Sequence, residues 1–77
     1  MPAEELARFL EEEFGQVPTA RGMSDEGVLV TVFAAKTTRS WTLTVTEPSG
    51  FSCVFAAGTG FEVMPGVLAL RGGPGPA

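Results

Sequence analysis

Residues 40–58 read SWTLTVTEPSGFSCVFAAG, and this stretch restricts the fold more than any other part of the chain. Trp41, Leu43 and Val45 alternate with Ser40, Thr42, Thr44 and Thr46, the period of two that marks a strand with one dry face and one wet face. Residues 47–50, Glu-Pro-Ser-Gly, supply a turn, after which Phe51, Cys53 and Phe55 alternate with Ser52, Val54 and Ala56. The segment is a β-hairpin. Its alternation predicts that Trp41, Leu43 and Val45 face the core with Cys53, and that the threonines form a solvent-facing ladder. In this register Cys53 is a small core residue rather than a nucleophile.

The elements before the hairpin must cover its apolar face. Pro2 at a first-turn position, followed by Glu4 and Glu5 at the positive end of the helix dipole, starts a helix over residues 2–14. Ala3, Leu6, Phe9, Leu10 and Phe14 fall along one side of it, and Gly15 is placed to end it in the left-handed conformation. Residues 28–35, VLVTVFAA, form a strand that is apolar on both faces, with Val28, Val30, Val32 and Ala34 on one and Leu29, Phe33 and Ala35 on the other. One face suits the helix. The other needs a second cover, either the C-terminal segment or another copy of the chain, and the sequence reading gives Leu29, Thr31 and Phe33 as the homodimer interface. Residues 16–27, rich in Pro, Thr, Gly, Ser and Asp, read as a long connection. Residues 61–64 leave room for a short fourth strand before Pro65. The fold expected is α+β, one amphipathic helix on a three- to four-stranded antiparallel meander spanning residues 1–65. Residues 66–77 are expected to be a flexible Gly- and Pro-rich tail.

Size makes the second cover important. A chain of 77 residues buries roughly 60% of its unfolded surface, and domains this small usually need a disulfide, a metal or a partner. One cysteine forbids an internal disulfide, and with no histidine a structural zinc site is nearly excluded. Oligomerisation is the remaining device.

Charge is distributed unevenly. Residues 1–27 carry Glu4, Glu5, Glu11, Glu12, Glu13, Asp25 and Glu26 against Arg8 and Arg21, a balance of −5, whereas the rest of the chain balances to +1. This disfavours direct binding to nucleic acid and favours a basic groove on a protein partner. Those seven acids are therefore the candidate protein-binding residues, although a charge run can also be only a solvated face. Enzymatic chemistry finds no support: there is no His or Tyr, the clustered Glu side chains lie on a convex helix, and GTGFE lacks the spacing of a phosphate loop. No catalytic, metal or cofactor residue is predicted. No apolar run reaches the ~20 residues of a membrane span, and the acidic, amphipathic N-terminus is unlike a signal peptide, so a cytoplasmic protein is expected.

Two resemblances bear on function. Trp41, Thr42, Thr46, Pro48, Gly50, Cys53, Gly58 and Glu62 fit a pattern of the form GxWTxxxTxPxGxxCxxxxGxxxE, and in this the chain resembles a set of small bacterial proteins with an amphipathic helix before the hairpin. Arg39, followed by Ser40, stands where those proteins usually have Gly, and the secretion signal that many of them carry is missing. That likeness implies a hairpin scaffold and, as an alternative role, an envelope accessory protein or a structural subunit. In size, acidity and lack of catalytic residues the chain is also similar to the anti-CRISPR proteins of phages and mobile elements. This second likeness implies an inhibitor that docks on a CRISPR surveillance complex, such as one of type I, and blocks target DNA binding.

Overall fold

The computed structural model describes residues 1–65, and the tail expected over 66–77 lies outside the described residues. One helix, α1 (Ala3–Phe14), precedes four strands, β1 (Val17–Met23), β2 (Leu29–Ala34), β3 (Trp41–Thr46) and β4 (Ser52–Gly58). The strands form a single antiparallel sheet in the order β1-β2-β3-β4, an α+β meander.

Both ends of α1 are tied down by backbone. Pro2 enters with φ −58°, suited to a first turn, and pairs with Phe51 as an isolated antiparallel bridge. The Ala3 N–H donates to the Gly50 carbonyl and the Ser52 N–H to the Met1 carbonyl, which fastens the helix start to the β3–β4 turn. At the other end Gly15 adopts φ 66°, where a Cβ would be strained. Its N–H donates to the Glu11 carbonyl while that of Gln16 donates to the Leu10 carbonyl, satisfying two otherwise open groups.

The helix lies on the sheet face opposite to the one that the alternation predicts. Register puts Leu29, Thr46 and Ser52 on one face, with Thr31, Thr44 and Val54, and Phe33, Thr42 and Ala57. Leu6 and Leu10 pack onto Phe33, and Thr31, Thr42, Thr44 and Ser52 are buried beneath them. The threonine ladder is therefore interior. Trp41, Leu43 and Val45 are only half-buried on the other face, and Cys53 beside them is exposed rather than in the core. Thr31 and Phe33, read from sequence as interface residues with Leu29, are covered by α1 within the same chain and offer no outer surface.

Hydroxyl chemistry explains why a polar face can sit under a helix. Burying a hydroxyl is costly unless it is bonded, and those of Thr42, Thr44 and Ser52 each have a partner. Thr42 Oγ1 donates to Gln16 Oε1 at 2.6 Å, Gln16 Nε2 donates to Ser40 Oγ at 3.1 Å, and Thr46 pairs with Ser52. Thr44 is the most enclosed side chain, and its Oγ1 donates to the Thr31 carbonyl over a long 3.4 Å. No buried side-chain N or O among the described residues lacks a partner. Because the Thr44 bond is long, Thr44→Val exchanges little hydrogen bonding for added apolar burial. We expect a urea-derived stability within about 1 kcal/mol of the parent; a loss above about 2 kcal/mol would show that this hydroxyl anchors the sheet.

Two further expectations are corrected. The connection over residues 16–27 contains β1, an edge strand paired with β2, and a tight turn in which the Ser24 hydroxyl accepts from the Val28 N–H and Gly27 takes φ 87°. Pro18 is tolerated because the strand is at the edge and the ladder slips between Pro18 and Ala20. Residues 61–64 form no strand. They run past the end of the sheet, where the Phe61 N–H donates to the Arg39 carbonyl and the Trp41 indole N–H to the Thr59 carbonyl.

Candidate functional site

Apart from Arg8 within α1 and Arg21 within β1, the meander sorts the charged residues to two ends. At one end lie the start of α1 with Glu4 and Glu5, the β1–β2 turn with Asp25 and Glu26, and the β3–β4 turn with Glu47. At the other lie the last turn of α1 with Glu11, Glu12 and Glu13, and the β2–β3 turn with Lys36 and Arg39. All of these side chains are exposed. The seven acids read from sequence fall into two groups, Glu11, Glu12 and Glu13 at one end and Glu4, Glu5, Asp25 and Glu26 at the other.

The Glu11 to Glu13 cluster is the more pointed of the two. Glutamates in the final helical turn face the negative end of the helix dipole, costing about 0.3–1 kcal/mol each in an exposed setting, and α1 has no basic residue in that turn to offset them.

A cleft of about 270 Å³ opens at the Lys36 and Arg39 end, where residues 61–63 run beside Val17 and Ala34. Arg39 is held at φ 60°, a left-handed conformation costly for a side chain with a Cβ, and its carbonyl receives the Phe61 N–H there. Beside β4 a second apolar strip is exposed. Phe9 and Phe14 meet edge to face with centroids 5.8 Å apart, Val54 and Phe51 are half exposed, and Phe55, the inserted residue where the β3–β4 ladder slips, is 76% exposed.

Among the described residues, the sheet face away from α1 is lined by half-buried apolar side chains. Across its strands the ladder aligns Val30 with Val45 and Cys53, Val32 with Leu43 and Ala56, and Ala34 with Trp41 and Gly58. Trp41 lies close over Gly58, where an added Cβ would be 3.3 Å from the indole and would require the ring to shift by a few tenths of an ångström. The face holds no charged residue. The sequence signal for it was present in the doubly apolar strand 28–35, but the side assigned to the helix was the wrong one. Gln16 was missed as a structural residue because it stood in an apparent loop.

Among the described residues no group of three or more His, Cys, Asp or Glu side chains is placed to hold a metal ion, and no helix is long and apolar enough to cross a membrane. Cys53 stands opposite Val45 in the ladder, without a general base paired to it there. Compared with known proteins, the chain matches no protein-family model, no curated protein and no solved structure.

Proposed function

We propose that this chain is a non-enzymatic binding protein that sets the acidic outer surface of α1 into a Lys- and Arg-lined groove of a partner protein. The observation that carries this reading is the run Glu11, Glu12, Glu13: three consecutive exposed carboxylates kept against the helix dipole, with no intrachain cation in that turn. A groove matched to carboxylates at helical spacing is of the kind that otherwise accepts nucleic acid phosphates. The partner we propose is therefore a nucleic-acid-binding assembly, specifically a CRISPR surveillance complex whose target DNA would be displaced by competition. Asp25, Glu26, Glu4 and Glu5 at the far end of the helix supply a second, salt-sensitive contact.

The test is a pull-down against surveillance complexes at low salt, followed by DNA-binding competition. We expect co-elution that weakens steeply with added salt, and a loss of at least ~10-fold in affinity when Glu11, Glu12 and Glu13 are all changed to Arg. Absence of co-elution at low salt would remove the CRISPR partner. Equal binding by the triple variant would show the acids to be only a solvated face.

A further inference from the structure

We propose that the open sheet face is the contact surface for a second copy of this chain, with two sheets packed face to face and their strands antiparallel. This does not rest on the proposed function, since α1 and its acids lie on the other side of the sheet.

Three observations lead to it. The chain encloses very little of its own apolar material: among the described residues only Leu6, Leu10, Phe33, Ala34 and Ala35 are buried hydrophobics, two of them alanines. Val30, Val32, Leu43 and Val45 meanwhile stay half-buried on a face with no charged residue, whose polar groups are the Cys53 thiol and the Trp41 indole N–H that donates to the Thr59 carbonyl. Such a face is matched only by another apolar surface, and the chain carries one of the same size and shape. Four strands at ~4.8 Å spacing and about six residues at ~3.4 Å give a patch of about 20 Å by 20 Å. At about 400 Å² per copy it is below the roughly 800 Å² per partner of a standard stable interface, which fits a weak, concentration-dependent contact with an apolar centre.

Charge selects the orientation. Asp25, Glu26 and Glu47 occupy the turns at one end of the face. Lys36 and Arg39 occupy the other with Glu62 as the acid beside them, while Glu11, Glu12 and Glu13 at that end lie on the helix side. When the strands of the two copies run antiparallel, the single turn bearing Lys36 and Arg39 falls between the two acidic turns of its partner. Parallel strands would set like charges over one another.

Cys53 provides a reporter because it is exposed on this face in the single chain. The full chain should sediment at twice its 8.0 kDa at high concentration and dissociate on dilution with a roughly micromolar Kd. Alkylation of Cys53 by iodoacetamide should slow as the dimer forms. Leu43→Glu should give a monomer, with unchanged helical circular dichroism and rapid alkylation at every concentration. Should that variant fail to fold, the exposed pair Lys36→Glu and Arg39→Glu serves instead. It should weaken the dimer roughly threefold to tenfold at low salt and lose its effect at high salt.

An 8.0 kDa mass at every concentration up to about 1 mM would overturn the proposal, whether Cys53 stays reactive or is shielded by the chain's own residues 66–77. So would a dimer unaffected by Leu43→Glu, which would point to pairing along the β4 edge. Changing Glu11, Glu12 and Glu13 to Arg should leave the mass untouched, which separates this result from that of the pull-down.

Discussion

Phe33→Ala should abolish the cooperative unfolding transition. Phe33 is 6% exposed and is the one large side chain that the sheet contributes to the cluster with Leu6 and Leu10. Truncating a buried phenylalanine costs about 3–5 kcal/mol through lost transfer energy and the cavity left behind. A domain of this size has about 3–5 kcal/mol in all from its own core, so the whole margin disappears. Little can collapse into the space, because the neighbours under α1 are threonines bonded in place. The check is far-ultraviolet circular dichroism through a urea titration: we expect loss of the sigmoidal transition and of the α1 signal together. A clean transition shifted by less than about 2 kcal/mol would mean that the stabilising core is the other face of the sheet.

Gln16→Ala should have the next largest effect, although a surface glutamine after a helix would ordinarily matter little. Gln16 is 3% exposed, accepts from Thr42 at 2.6 Å and donates to Ser40 at 3.1 Å. It thereby joins the end of α1 to the start of β3. Removing it leaves the buried Thr42 hydroxyl unpaired, a loss of about 1–3 kcal/mol, against near-neutrality for Thr44→Val. Urea denaturation measures the cost. Amide exchange locates it: protection should fall first at the Gly15 and Gln16 N–H groups that close the helix. If Gln16→Ala and Thr44→Val lose equal stability, the bridge adds nothing beyond packing.

Where sequence and structure part, the particular residues show why. The hairpin, the helix limits and the Gly15 terminus are local properties, set by alternation, by the spacing of Leu6 and Leu10, and by the freedom of glycine at φ 66°. β1 was hidden because Pro18 and Gly22 argue against a strand, and only pairing with β2 at a sheet edge, with a slip after Pro18, makes those residues acceptable. Cys53 and Trp41 were assigned to the core on the rule that the apolar side of a strand faces inward. The rule assumes one covering layer, and here the covering layer sits on the threonines.

That choice of side also bears on the candidate surfaces. Leu29, Thr31 and Phe33 and their alternates Val30 and Val32 look equally suited to either role, since a strand apolar on both faces contains no local instruction about which face the helix takes. The decision depends on contacts far apart in sequence: Met1 and Ala3 fastened to Ser52 and Gly50, and Gln16 bonded to Thr42. These fix both ends of α1 over the hydroxyl-bearing face.

The sequence by itself therefore determined that this chain makes one helix and an antiparallel meander, that its acids concentrate before residue 28, and that strand 28–35 carries apolar residues on both faces. Only the tertiary structure decided which face is covered by α1, that the acids divide between two ends, and that Val30, Val32, Leu43 and Val45 lie half-buried on the other face beside an exposed Cys53. The physical reason is that periodicity is a short-range property of the chain. The side a helix chooses is a sum over hydrogen bonds and packing between residues tens of positions apart.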